Sequence, residues 1–117
     1  MIISNRVQIK EALLTICDNV KMEYPEGQLN LPLVTYAEIT NAMVSKREAR
    51  MDYQIDAYTG SFEDMINLIK DIDNVMTGMG WSRNYVTPDS SARAGAGLYH
   101  KAINYTARID TLRKDII

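Results

Sequence analysis

Chemistry near neutral pH would have to start from the chain's one histidine, His100, its one cysteine, Cys17, or its carboxylates. Imidazole titrates close to neutrality and serves as a general acid or base. Alternation along the chain puts His100 on a face with Asn104 and Thr106, and no catalytic partner can be named for it. A surface or interface contact is the expected role. Cys17 would need an adjacent base to become a nucleophile; at helical spacing from Leu13 and Val20 it reads as a small buried apolar residue.

Helical spacing spreads Glu63, Asp64, Asp71 and Asp73 over a solvated face, and no cation-binding loop signature accompanies them. Asp52 and Asp56 differ, because they flank Gln54 on one face of an alternating segment. There they could hold a cation or pair with arginines across an interface. Gly95-Ala96-Gly97 lacks the lysine and hydroxyl of a phosphate-binding loop, and a strand rather than a helix follows it. Arg47, Arg50 and Arg93 read as arms on polar loops that order when a neighbouring subunit supplies carboxylates. The candidate contact set is therefore Arg47, Arg50, Asp52, Asp56, Arg93 and His100. Every member is assigned to an interface; the chain is read as not an enzyme, with no cofactor and no metal.

The elements that must position these residues follow from periodicity. Ser4 is placed to cap a helix running to about residue 19, with Ile9, Leu13, Ile16, Cys17 and Val20 at helical spacing. Val20 to Tyr24 alternates as a short strand and stops at Pro25-Glu26-Gly27. Segments 33–44 and 48–58 read as a hairpin, because the first is rich in β-branched and aromatic residues and the second alternates with period two. Ser61 opens a second helix lined by Phe62, Met65, Ile66, Ile69, Ile72 and Met76, and Gly78 and Gly80 end it. Residues 81–86 form a further strand, 90–97 a mobile loop, and 99–109 a long last strand. The order α-β-β-β-α-β-β, without repeated βαβ units, predicts an α+β domain with two helices on one face of a mostly antiparallel sheet of four or five strands.

A chain of 117 residues supports one core, so residues 1–117 are read as a single domain. A net charge of -2, with the cations scattered, gives no field suited to a phosphate backbone, so specific nucleic-acid binding is not expected. Short apolar runs and an N-terminus unlike a signal peptide point to synthesis in the cytoplasm and no membrane partner. Tyr36, Tyr53, Tyr58, Tyr85, Tyr99 and Tyr105 all fall on strands, where a ring with a polar tip suits subunit contacts, half of them in the core being the plainer alternative. Long strands also leave edges that a second copy would cover.

Leu31-Pro32-Leu33-Val34-Thr35-Tyr36 enters a strand, Asp52-Tyr53-Gln54-Ile55-Asp56-Ala57-Tyr58 precedes the second helix, Gly80-Trp81 follows it, and Gly97 to Tyr105 leads the last strand. In this order and spacing the chain resembles the small tail-completion, or head-to-tail joining, proteins of long-tailed bacteriophages, relatives in fold of the lambda-type tail terminator. The resemblance implies a structural virion protein, made in the host cytoplasm, that forms a ring, commonly hexameric, at the head-proximal end of the tail. Its implied partners are the tail tube protein, the head-connector protein and other copies of itself, with loops 41–50 and 86–97 at the contacts. The alternative class is a small-molecule-binding regulatory or sensor domain, since two helices on an antiparallel sheet can frame a cleft.

Overall fold

The computed structural model describes residues 5–22, 30–87, 90–93 and 97–117, with backbone alone for 90–93. It is an α+β domain whose two helices cover one face of a mostly antiparallel sheet. Helix α1 spans Arg6–Leu14 and is followed by strands β1 (Val20–Met22), β2 (Leu33–Met43) and β3 (Glu48–Thr59). Helix α2 spans Phe62–Gly78, and strands β4 (Ser82–Val86), β5 (Ser90–Arg93) and β6 (Leu98–Asp110) complete the chain.

The spatial order is β1-β2-β3-β6-β4, with β5 also paired to β6. Only β1 and β2 run parallel; the remaining ladders are antiparallel. Strand β3 lies at the centre, paired from Glu48 to Thr59 along β6 and over nearly its whole length along β2. Its alternation sorts the sheet into two unlike faces. Met51, Tyr53, Ile55 and Ala57 point toward the helices and are buried, as are their register partners Ile103, Tyr105 and Ala107 on β6. Trp81, just before β4, closes this core edge-on to Tyr53 with ring centroids 5.4 Å apart.

Helix α1 is shorter than the periodicity predicts. It ends at Leu14, where the Thr15 hydroxyl donates to the Ala12 carbonyl at 2.6 Å. A β-branched pair followed by Asp18 and Asn19 is a poor continuation of a helix. Cys17 and Val20 are buried as predicted, but from the turn and β1. Ser4 lies outside the described residues, and Asn5 occupies the cap position with no side-chain capping bond.

Helix α2 begins as predicted, with Ser61 Oγ accepting from the Asp64 amide at 3.1 Å and Glu63 and Asp64 in its first turn. Its buried stripe is rotated from the expected one. Met65, Leu68, Ile72 and Met76 face the core and Ile69 packs at its margin, whereas Phe62 and Ile66 are exposed. Beyond the helix Gly80 takes a φ of +101°, and a Cβ there would meet Ile116 at 3.2 Å, so both backbone and space call for glycine.

Strand β5 falls within the segment read from sequence as a loop. It pairs with the Leu98–His100 end of β6, beyond the reach of β4. Residues 41–50, also read as a loop, are mostly ladder: β2 continues to Met43, β3 begins at Glu48, and a tight turn joins them through the Val44 and Ser45 amides donating to the Glu48 carbonyl.

Because Ile72 is fully buried where α2 meets the sheet, Ile72→Ala should lower unfolding free energy by about 2–5 kcal/mol. Urea denaturation followed by circular dichroism checks this: the midpoint falls and the slope is unchanged.

Candidate functional site

The sheet face turned away from the helices is polar throughout its centre. On β3 it presents Arg50, Asp52, Gln54, Asp56 and Tyr58, and the register sets Arg108, Thr106, Asn104, Ala102 and His100 of β6 beside them in that order. Sequence alternation predicts both files but not their alignment. Asp52 and Asp56 are each only 6% exposed, although no helix covers them. Short carboxylates in a central strand are shielded by longer neighbours on either side.

At one end of this face His100 Nε2 lies 2.8 Å from Asp56 Oδ2, and Gln54 Nε2 donates to Asp56 Oδ1 at 2.9 Å. An ionised carboxylate only accepts, so this arrangement places the imidazole hydrogen on Nε2. The ring also stacks on Tyr58, its direct register partner, with centroids 4.5 Å apart and planes 6° from parallel. The imidazole is thus held in position from two sides.

The second cluster centres on Asp52. Arg50 lies 3.2 Å from its Oδ2 along the same strand, and Thr106 and Thr40, its register partners on the two flanking strands, bring hydroxyls beside the carboxylate. Burial raises the pKa of Asp52, but the threonine hydroxyls and the Arg50 charge together outweigh burial and hold it below the ordinary carboxylate value. Its Oδ1 is buried and makes no hydrogen bond of good geometry among the described residues. Between the clusters Asn84 donates to Asn104 at 2.7 Å, extending the polar face onto β4.

The acceptors on this face are largely satisfied within the chain, and the exposed guanidinium groups of Arg50 and Arg108 stand at its rim. Such a surface presents hydrogen-bonding groups held in fixed positions. The predicted residues divide accordingly. Asp56 and His100 form one pair and Arg50 and Asp52 another. Arg50 lies on β3 itself rather than on a loop, because the ladder extends further than its composition implies. Arg47 is exposed at the β2–β3 turn, outside both clusters, and Arg93 lies on β5, where only the backbone is described. The Tyr58 stack and the Arg108–Glu48 pair were not anticipated. The alternation of β6 was the available signal; the missing information was its register against β3.

Two further groups join elements on the helix side. Asp73 accepts from the Tyr105 hydroxyl at 2.9 Å and from Arg83 at 3.0 Å, so it ties α2 to the sheet rather than belonging to a solvated helix face. Tyr53 donates to Glu38 at 3.3 Å. Of the six strand tyrosines, Tyr36, Tyr53, Tyr58 and Tyr105 are buried and only Tyr85 is exposed. Two open grooves flank the helices, one of about 480 Å³ beside α1 and Tyr36, the other of about 280 Å³ between Pro32 and the Asp64–Asp71 side of α2. Among the described residues no group of three or more His, Cys, Asp or Glu is arranged to hold a metal ion, and no helix is long and apolar enough to cross a membrane.

In comparisons with known proteins, no family model matches this chain and no curated protein is significantly similar to it.

The two kinds of shifted group set opposite pH limits. The folded pKa of Asp52 is depressed, so its contribution is present above the unfolded value near 4 and is lost as pH falls through the lowered one. Asp52→Asn should therefore reduce stability at pH 7 and converge with the parent in strong acid; an equal deficit at both would exclude a role for the charge. Burial, and then the Glu38 carboxylate, push the Tyr53 hydroxyl up to about 12. Its contribution is present below pH 10 and is lost as pH rises toward that value, so the melting temperature should fall above about pH 10, and less steeply in Tyr53→Phe.

Proposed function

We propose that this protein is a structural subunit of a long-tailed phage or prophage, one that caps the head-proximal end of the tail and joins it to the head connector as a ring. Its partners are then the tail tube protein, the head-connector protein and further copies of itself, and its place is in the virion. In this reading it performs no catalysis, and binding energy at subunit contacts does the work. Sequence resemblance motivates the reading, and one structural observation carries it.

That observation is the shape of the β2–β3 arm. Residues 41–47 are all exposed, and Met43 and Val44, at 55% and 59%, stand in solvent at the tip of a molecule 50 Å long and 24 Å by 22 Å across. Apolar side chains held out on an ordered turn are costly to leave wet and favour a partner surface. The polar sheet face adds a second broad contact surface whose groups are already fixed, which reduces the ordering entropy lost on docking. Rings follow when one patch meets a different patch on the next copy and the rotation closes.

Light scattering across a concentration range, followed by electron microscopy of the large species, tests the ring. Closed particles of one stoichiometry are the expected result. A chain that stays monomeric throughout, or grows into open filaments, would count decisively against this reading.

A further inference from the structure

The two ends of this elongated molecule are complementary. The β2–β3 turn is tied to the turn after β6, because the Thr111 amide donates to the Arg47 carbonyl at 3.0 Å and the Thr111 hydroxyl donates to the Lys46 carbonyl at 2.5 Å. Three apolar side chains stand exposed on the joined turns: Met43, Val44 and Leu112, the last at 66%. Lys46, Arg47, Arg113 and Lys114 surround them, all exposed. The acidic groups of this end are mostly occupied: Glu48 pairs with Arg108, and Asp110 Oδ1 accepts from the Leu112 and Arg113 amides, leaving Asp115 as the exposed carboxylate here. This end is apolar at its centre and basic at its rim.

Strand β3 runs from this tip to Thr59, a rise of roughly 36 Å for its length. Helix α2 starts three residues later, so its first turn lies at the far end. There Phe62, Leu31 and Ile66 are exposed apolar residues, and Glu63, Asp64 and Asp71 are exposed carboxylates, with Lys70 the one cation among them on the helix. The groove lined by Pro32, Thr59, Leu68 and the carboxylates Asp64 and Asp71 opens at the same end. It is an apolar and acidic surface that matches an apolar and basic one.

We infer that the basic tip of one copy docks on the acidic α2 end of the next, giving a head-to-tail contact. This inference rests on the ring reading and names its contact; the occupant of the α2 end is a second copy of this chain. Like charges meet when two tips, or two α2 ends, are brought together, so the pattern disfavours a two-fold dimer and favours a heterologous chain that can close. The end-on cross-section of 24 Å by 22 Å gives a footprint of roughly 500 Å² per copy, at the low end for a specific interface. A single contact is therefore weak. Closure gives every subunit two contacts and makes the ring far tighter than the isolated pair.

The orientation has a visible signature. Six copies 50 Å long joined end to end trace a ring roughly 95 Å across at its midline, whereas six packed side by side through their 24 Å width trace one of roughly 45 Å.

Charge reversal tests the contact with the full chain. Lys46→Glu with Arg47→Glu removes the basic tip, and Asp64→Lys with Asp71→Lys removes the acidic end; all four side chains are exposed, and urea midpoints confirm that each variant folds. Each pair of changes should weaken self-association on the order of a hundredfold or more. Mixed one to one, the two defective variants should co-assemble in alternation, because their intact ends match one another and so do their reversed ends. The fourfold variant, with both ends reversed, should regain assembly. Wild-type rings accompanied by undiminished assembly of both variants would overturn this contact while leaving the ring reading standing. Defective variants that stay monomeric when mixed would overturn the head-to-tail pairing. A wild-type chain that never self-associates would overturn the ring and this contact together.

Discussion

The register of β3 is the constraint on which the rest depends. One strand supplies the centre of the core through Met51, Tyr53, Ile55 and Ala57, and the centre of the polar face through Asp52, Gln54, Asp56 and Tyr58. A slip of one residue would drive two carboxylates under the helices and put four apolar side chains in their place. The penalty for burying those carboxylates without partners greatly exceeds the cost of any single lost contact. Both neighbours enforce the same alignment. Thr40 and Thr106 meet Asp52 from opposite sides, and His100 meets Tyr58 by stacking. Polar pairing on one face and apolar packing on the other select one alignment.

Much of this architecture was legible in the sequence because its signals are periodic. Alternation on β3 and β6 marks both strands and both faces, and Ser61 and Gly80 mark the limits of α2. What escaped depends on tertiary geometry. Phe62, Ile66 and Leu68 are all apolar, and only the direction from which the sheet approaches decides that Leu68 is buried and the other two are not. Strand β5 has little strand propensity of its own; the β6 edge beside it supplies the pairing. Alternation groups Asp52 with Asp56 but cannot show which side chain each meets. That required knowing which β6 residue lies opposite.

The polar face and the tip make different kinds of contribution to a surface. On the face, groups that would otherwise demand water are partnered within the chain, so an approaching molecule displaces little that is strongly held. At the tip, apolar side chains and cations remain largely in water in the isolated subunit. A contact there draws its energy from dehydration and from charge, and it weakens as ionic strength rises. The first surface favours fit, and the second favours speed and discrimination among partners.

The position of the lone tryptophan has an optical consequence. Trp81 is buried beside Tyr53 in the core and belongs to neither end of the molecule. Its indole emission therefore registers whether the helices still cover the sheet and is insensitive to what touches the tips. The protein carries its own fluorescent gauge of integrity, one that separates a subunit which has failed to associate from one which has failed to fold.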